Sequence, residues 1–161
     1  MTQGELIADE LDRALRGQAW HGSSLCELLE GMTVEEAIQR PIPAGHNIWE
    51  IVMHITSWAN IATRRITGGK VAPYDGEDWP HAGDMTNDRW VAIQAALRQS
   101  HENLREAVVS LTEEQLAVNA RESQNSVGVL LHGVAQHAAY HGGQIALLKK
   151  VVVTKHRRAA L

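Results

Sequence analysis

The ten residues "HGVAQHAAYH", His132 to His141, place three histidines in an otherwise apolar, Ala-rich run. A neutral imidazole can ligate a divalent metal, move a proton, or sit hydrogen-bonded in a core. Position decides which of these a given ring can do. At about 100° per residue, His137 and His141 stand about 40° apart on a helix, close enough for both rings to reach one ion. They fall in the series Leu130, Val134, His137, His141, Leu148, whose steps of four, three, four and seven trace a core-facing seam. Two polar rings in such a seam need partners, because an unsatisfied buried polar group costs about 1 to 3 kcal/mol. His132 lies about 140° round from His137 and faces elsewhere, so it is not expected to be a ligand.

A third protein ligand has to come from another element. His54, in "IWEIVMHITSW", steps with Ile51 and Trp58 along the edge of an apolar face, where it is either a ligand or a single core histidine. Three neutral imidazoles leave a coordination position open, which is the catalytic pattern for zinc. Water bound there is acidified toward a pKa of about 7, and a bound thiol loses its proton. Imidazole-only ligation fits zinc or nickel. The zincin motif follows its first His with Glu as base, but that position here is Ala138, so peptidase chemistry of that type lacks its proton acceptor. The remaining catalytic candidates are Glu50, one turn before His54, and Gln144, three residues after His141. Each has a competing role, Glu50 in a helix capping box and Gln144 in a helix–helix hydrogen bond. Trp58, His101 and Gln144 are the candidate pocket residues, His101 because it interrupts an apolar stripe between Leu97 and Leu104.

Other residues have weaker claims. His21 and His46 fall at the ends of the first two predicted helices, at the mouth of any pocket, while His81 and His156 fall in loop and tail. Asp75, Glu77, Asp78 and Trp79 form either a lid or a solvated acidic loop. Tyr140 points to one side of the seam, toward a neighbouring helix or subunit. Gly142-Gly143 within a helix predicts the close passage of another backbone.

Four long segments with helical periodicity must position these groups, and almost nothing alternates at period two. The first runs from about Gln3 to Glu30, with a break near "WHGSS". The second opens on the Asn47 cap, with Glu50 completing its box, and stops at Gly68-Gly69. The third spans about Thr86 to Leu111, and the fourth opens at Ser126. The stretch "GGKVAPYDGEDWPHAGD" between the second and third is long enough to cross a bundle end to end, as a parallel pair of consecutive helices requires. The expected fold is therefore all-α, an up-down-down-up four-helix bundle with a long crossover loop between its second and third helices. A faint repeat agrees, since capping boxes at Thr33/Glu36 and Thr112/Gln115 each precede the next cap, Asn47 or Ser126, by the same fourteen residues.

The 161 residues suit one domain, 1–161, with 151–161 as a loosely ordered tail. A formal charge of −4 disfavours nucleic-acid binding, and a lone Cys26 excludes an intrachain disulfide and fits a reducing compartment. The amphipathic start "MTQGELIADELDRAL" is not a secretory signal, and no run approaches a membrane span, so the expected location is cytoplasmic with no membrane partner.

His54 with Trp58 four residues on, "HAAYHGGQI" on the last helix, and the approaches "EGMTVEEA" and "SLTEEQL" together resemble the DinB-like family over nearly the whole chain. That resemblance implies a homodimeric up-down-down-up bundle holding a divalent metal on three histidines. By motif position these are His54, His137 and His141. It further implies a metal-dependent hydrolase or a thiol-dependent S-transferase acting on a small-molecule substrate, with a low-molecular-weight thiol as possible cosubstrate. Two rival readings are a non-catalytic metal- or ligand-binding bundle and a metal-free scaffold with a hydrogen-bonded His cluster.

Overall fold

Each helix start carries a cap written in the sequence. In a computed structural model that describes residues 1–69 and 76–159, with side chains to Val153, the elements are α1 (Gln3–Arg16), α2 (Leu25–Leu29), α3 (Val34–Ala37), α4 (Ile48–Thr67), α5 (Asn87–Val109), α6 (Glu113–Ala117) and α7 (Val127–Ala159). Thr2, Ser24, Thr33, Asn47 and Thr112 each accept from the backbone N–H three residues on, and the Glu or Gln at that position returns the bond to the cap. Each box satisfies two of the donors that a helix start leaves orphaned. Gly68 ends α4 in the left-handed region at φ 88°, a conformation that glycine adopts without strain. No strand occurs among the described residues, apart from an isolated bridge between Asn119 and Ser126.

The expected first segment is two helices. α1 stops at Gly17, and Ser24 caps a separate α2, so the break falls at "WHGSS". α7 runs to Ala159 with Val152 fully buried, so the helix continues into the stretch expected to form a loose tail. Asp75 lies outside the described residues, as does most of the early crossover.

α1 and α4 each pack on both α5 and α7. The start of α1 meets the end of α5, where a Cβ on Gly4 would lie 2.8 Å from the Val108 carbonyl oxygen; the end of α1 pairs Arg16 with Glu102. The starts of α4 and α5 lie together, with Trp49 stacked on Trp90 at 5.5 Å. Two apolar clusters fill the interior. One joins Leu25, Trp49, Ile51, Ile55, Trp90 and Ile145, and the other joins Ile7, Leu11, Ala62, Leu104 and Leu131. The histidines of α4 and α7 lie where these helices face each other.

Gly142-Gly143 does not mark a passing backbone. A Cβ on Gly142 would meet the Leu25 and Leu28 methyls of α2 at 3.6 and 3.7 Å, ordinary contact, and one on Gly143 would meet nothing within 4 Å. The small residues admit side chains of a short helix, which needs less clearance than a crossing main chain.

Candidate metal centre

His54 sits midway along α4, on the face that the helix buries with Ile51, Val52 and Ile55. His137 and His141 sit one turn apart on α7, His141 within the buried stripe and His137 at its edge. The two helices bring the three rings together. His54 Nε2 stands 2.9 Å from His137 Nε2, and the His141 ring centre is 4.7 Å from that of His54 and 4.4 Å from that of His137. Each ring offers one ligand nitrogen, and these atoms all lie within 4.8 Å of one another. Nitrogens about 2.0 to 2.1 Å from a shared tetrahedral ion sit about 3.3 Å apart, inside the observed spread, so the donor set fits a divalent metal.

The second nitrogens are also accounted for. His54 Nδ1–H donates to the Asp78 backbone carbonyl at 2.5 Å; since a carbonyl only accepts, this fixes the tautomer and leaves Nε2 as a lone pair facing the cluster. His141 Nδ1 pairs with Gln144 Oε1 at 2.7 Å, with the same consequence. Burial, reinforced by the neighbouring His141 and His54, pushes the His137 pKa down to about 4. Burial also lowers His141, opposed by its bond to Gln144. Both rings are therefore neutral at pH 7, the form that ligates.

A short stretch of the crossover closes this side of the cluster. Asp78 Oδ1 accepts from Trp58 Nε1 at 2.7 Å and lies 3.4 Å from His54 Nδ1. Ser57 Oγ donates to the Glu77 carbonyl at 2.5 Å, and Arg64 pairs with the Glu77 carboxylate. Trp79 lies flat between two imidazoles, 3.9 Å from His54 and 3.5 Å from His46 with both pairs nearly parallel. Glu77 and Trp79 thus pack on α4, while Asp78 is tied to it by hydrogen bonds with its side chain 61% exposed, so the stretch is anchored to the helix and only partly solvated. The sequence offered a lid as one reading of this stretch but not where Trp79 or the Asp78 carbonyl would lie, because a Gly- and Pro-rich stretch has no period from which to read a direction.

The other candidates have definite places. Trp58 flanks the cluster, 6.5 Å from His54 and 6.1 Å from His137 between ring centres. Gln144 holds His141 and lines a cavity. Glu50 closes the Asn47 capping box and also pairs with Arg40 and with His46. Burial would raise its pKa, but hydrogen bonds from Asn47, Arg40 and His46 outweigh it and hold the carboxyl below its ordinary value. That carboxylate is committed to three donors and is a poor proton acceptor.

His101 is buried on α5 with Nδ1–H donating to the Leu97 carbonyl at 3.1 Å, and it is not among the residues that converge on the cluster. Its Nε2 is buried without a hydrogen-bond partner. His132 pairs with Glu10 of α1 at 2.8 Å, away from the cluster. His21 lines a separate groove beside α2, and His81 accepts from the Gly83 N–H. The His156 side chain lies outside those described.

Next to His141 opens a cavity of about 500 Å³, with Ile42, His46, Trp79, Tyr140, Gln144 and Leu147 among its lining residues. No curated protein and no solved structure matches the chain. A family model matches residues 19–145, a span that contains all three converging histidines, and the chain belongs to the DinB superfamily.

Proposed function

We propose that the protein is an enzyme in which His54, His137 and His141 hold one divalent metal, zinc or nickel, for hydrolysis or thiol S-transfer on a small molecule. The observation that carries this reading is the convergence of three ring nitrogens within 4.8 Å, with the opposite nitrogens of His54 and His141 already held by acceptors. Once bound, the metal would supply Lewis acidity, making hydroxide from water or thiolate from a thiol near neutral pH.

The chain's own residues do the rest. The Asp78 carbonyl and Gln144 orient two rings, and Trp79 and Trp58 screen His54 from water. Asp78 Oδ1, held by Trp58, is the nearest described carboxylate to the His54 ring and balances charge there. Gln144 presents an amide at the cavity beside His141, placed to bind a polar substrate group. His101 is not drawn in as a fourth ligand, which favours an open, reactive position over a closed structural one.

The scaffold in this reading is a single domain over 1–161, an up-down-down-up four-helix bundle of α1, α4, α5 and α7. It is supported by the adjoining starts of α4 and α5, which call for a long crossover between them. No helix among the described residues is long and apolar enough to cross a membrane; the same reading takes the protein as a cytoplasmic homodimer. Metal analysis of untagged protein tests the central claim. About one equivalent of zinc or nickel is expected, falling at least tenfold in His137→Ala; less than about a tenth of an equivalent with no uptake on titration would overturn it.

A further inference from the structure

The cavity beside His141 is not chemically uniform. Ile51, Leu148, Val151 and Leu147 form its body with Ile42 and Tyr140, while His46, His141 and Gln144 give it polar groups. Among the described residues, no Asp, Glu, Lys or Arg lines it. Four of its apolar walls are open to solvent, Ile42 at 59%, Tyr140 at 65%, Leu147 at 67% and Val151 at 42% exposed. Outside a binding site, such a concave apolar surface gains nothing by facing water.

The geometry points to a substrate with an uncharged alkyl or aryl body and a single polar head, the body lying along Ile42, Leu147 and Val151 and the head at His141 and Gln144. The assignment rests on the metal centre proposed above, because His141 belongs to both the cavity wall and the cluster. A charged tail would lose its hydration in this cavity and meet no counter-charge among the described lining residues. An apolar tail gains with every group it buries. At the other end, Gln144 spends its carbonyl oxygen on His141 and keeps its amide donors for the head. The volume, about 500 Å³, is that of a small-molecule site rather than of a peptide groove.

Primary alcohols from butan-1-ol to octan-1-ol, titrated calorimetrically into the full chain, test this directly. Affinity is expected to rise about threefold to fourfold per methylene. 8-Aminooctan-1-ol should bind at least tenfold more weakly than octan-1-ol. Leu147→Asp, an exposed position whose change leaves the core intact, should lower octan-1-ol affinity at least tenfold while zinc uptake stays unchanged.

A flat series, equal binding of the amino alcohol, or an unaffected Leu147→Asp variant would each overturn the assignment. Sedimentation adds a separate outcome: a dimer that Leu147→Asp dissociates without changing alcohol affinity would show that a second copy covers this face and would also overturn it. Failed zinc uptake alongside an intact chain-length dependence would remove the metal reading and still support the apolar site.

Discussion

At the scale of single residues, the three imidazoles depend on their partners as much as on their spacing. Gln144 fixes His141 through a 2.7 Å bond to Nδ1. Gln144→Leu should therefore weaken zinc binding about 10- to 100-fold with little change in melting temperature, as competition with a chromogenic chelator would show; equal affinity would mean that the bond does no positioning. His101 makes a different prediction, since burial pushes its pKa down from the ordinary 6.5 to about 4. The unfolded chain then binds the extra proton between those two values, so the stability this ring contributes is complete above pH 6.5 and is lost as pH falls toward 4. His101→Leu should flatten that acid limb by up to about 3 kcal/mol in denaturant titrations of the metal-free protein. An unchanged limb would assign the acid sensitivity to other groups. The sequence revealed the His137/His141 pair because helical angle is arithmetic, and it marked His54 by its place on an apolar face. It could not reveal Trp79, whose position between His46 and His54 follows from a turn path that no periodicity encodes.

At the scale of elements, caps and stripes were legible and short-range contacts were not. The capping pairs Asn47/Glu50, Thr33/Glu36 and Thr112/Gln115 all form, because each is a local arrangement that its four residues determine. The Gly142-Gly143 pair shows the limit, since a glycine signals that room is needed without saying for what. Two substitutions separate these cases. Gly143→Ala places a methyl in open space and should raise stability by about 0.5 to 1 kcal/mol through helix propensity alone. Gly4→Ala drives a Cβ to 2.8 Å from the Val108 carbonyl oxygen and should destabilise, because neither backbone yields cheaply. Thermal melts of the pair check both signs; a destabilised Gly143→Ala would mean that its open face is covered.

At the scale of the whole molecule, tryptophans tie connecting segments to the helices. Trp90 Nε1 donates to the Met32 carbonyl at 2.9 Å, linking α5 to the turn between α2 and α3, and Trp49 Nε1 donates to the Ala82 carbonyl in the crossover at 3.3 Å. Trp90→Phe keeps the stacked aromatic and leaves a buried carbonyl unpaired, for an expected loss of about 1 to 3 kcal/mol in unfolding free energy. A loss below experimental error would show that water replaces the indole. Helical content and the four long segments were readable from hydrophobic period, whereas these long-range bonds depend on loop paths that the sequence left open. His54 and His137 are 83 positions apart in the chain, yet their Nε2 atoms meet at 2.9 Å. During synthesis the earlier ring therefore emerges from the ribosome long before its partners, and the cluster closes only when the last helix docks. Loading of any ion on all three rings thus has to wait for α7 to dock on α4, and reports that this pairing is complete.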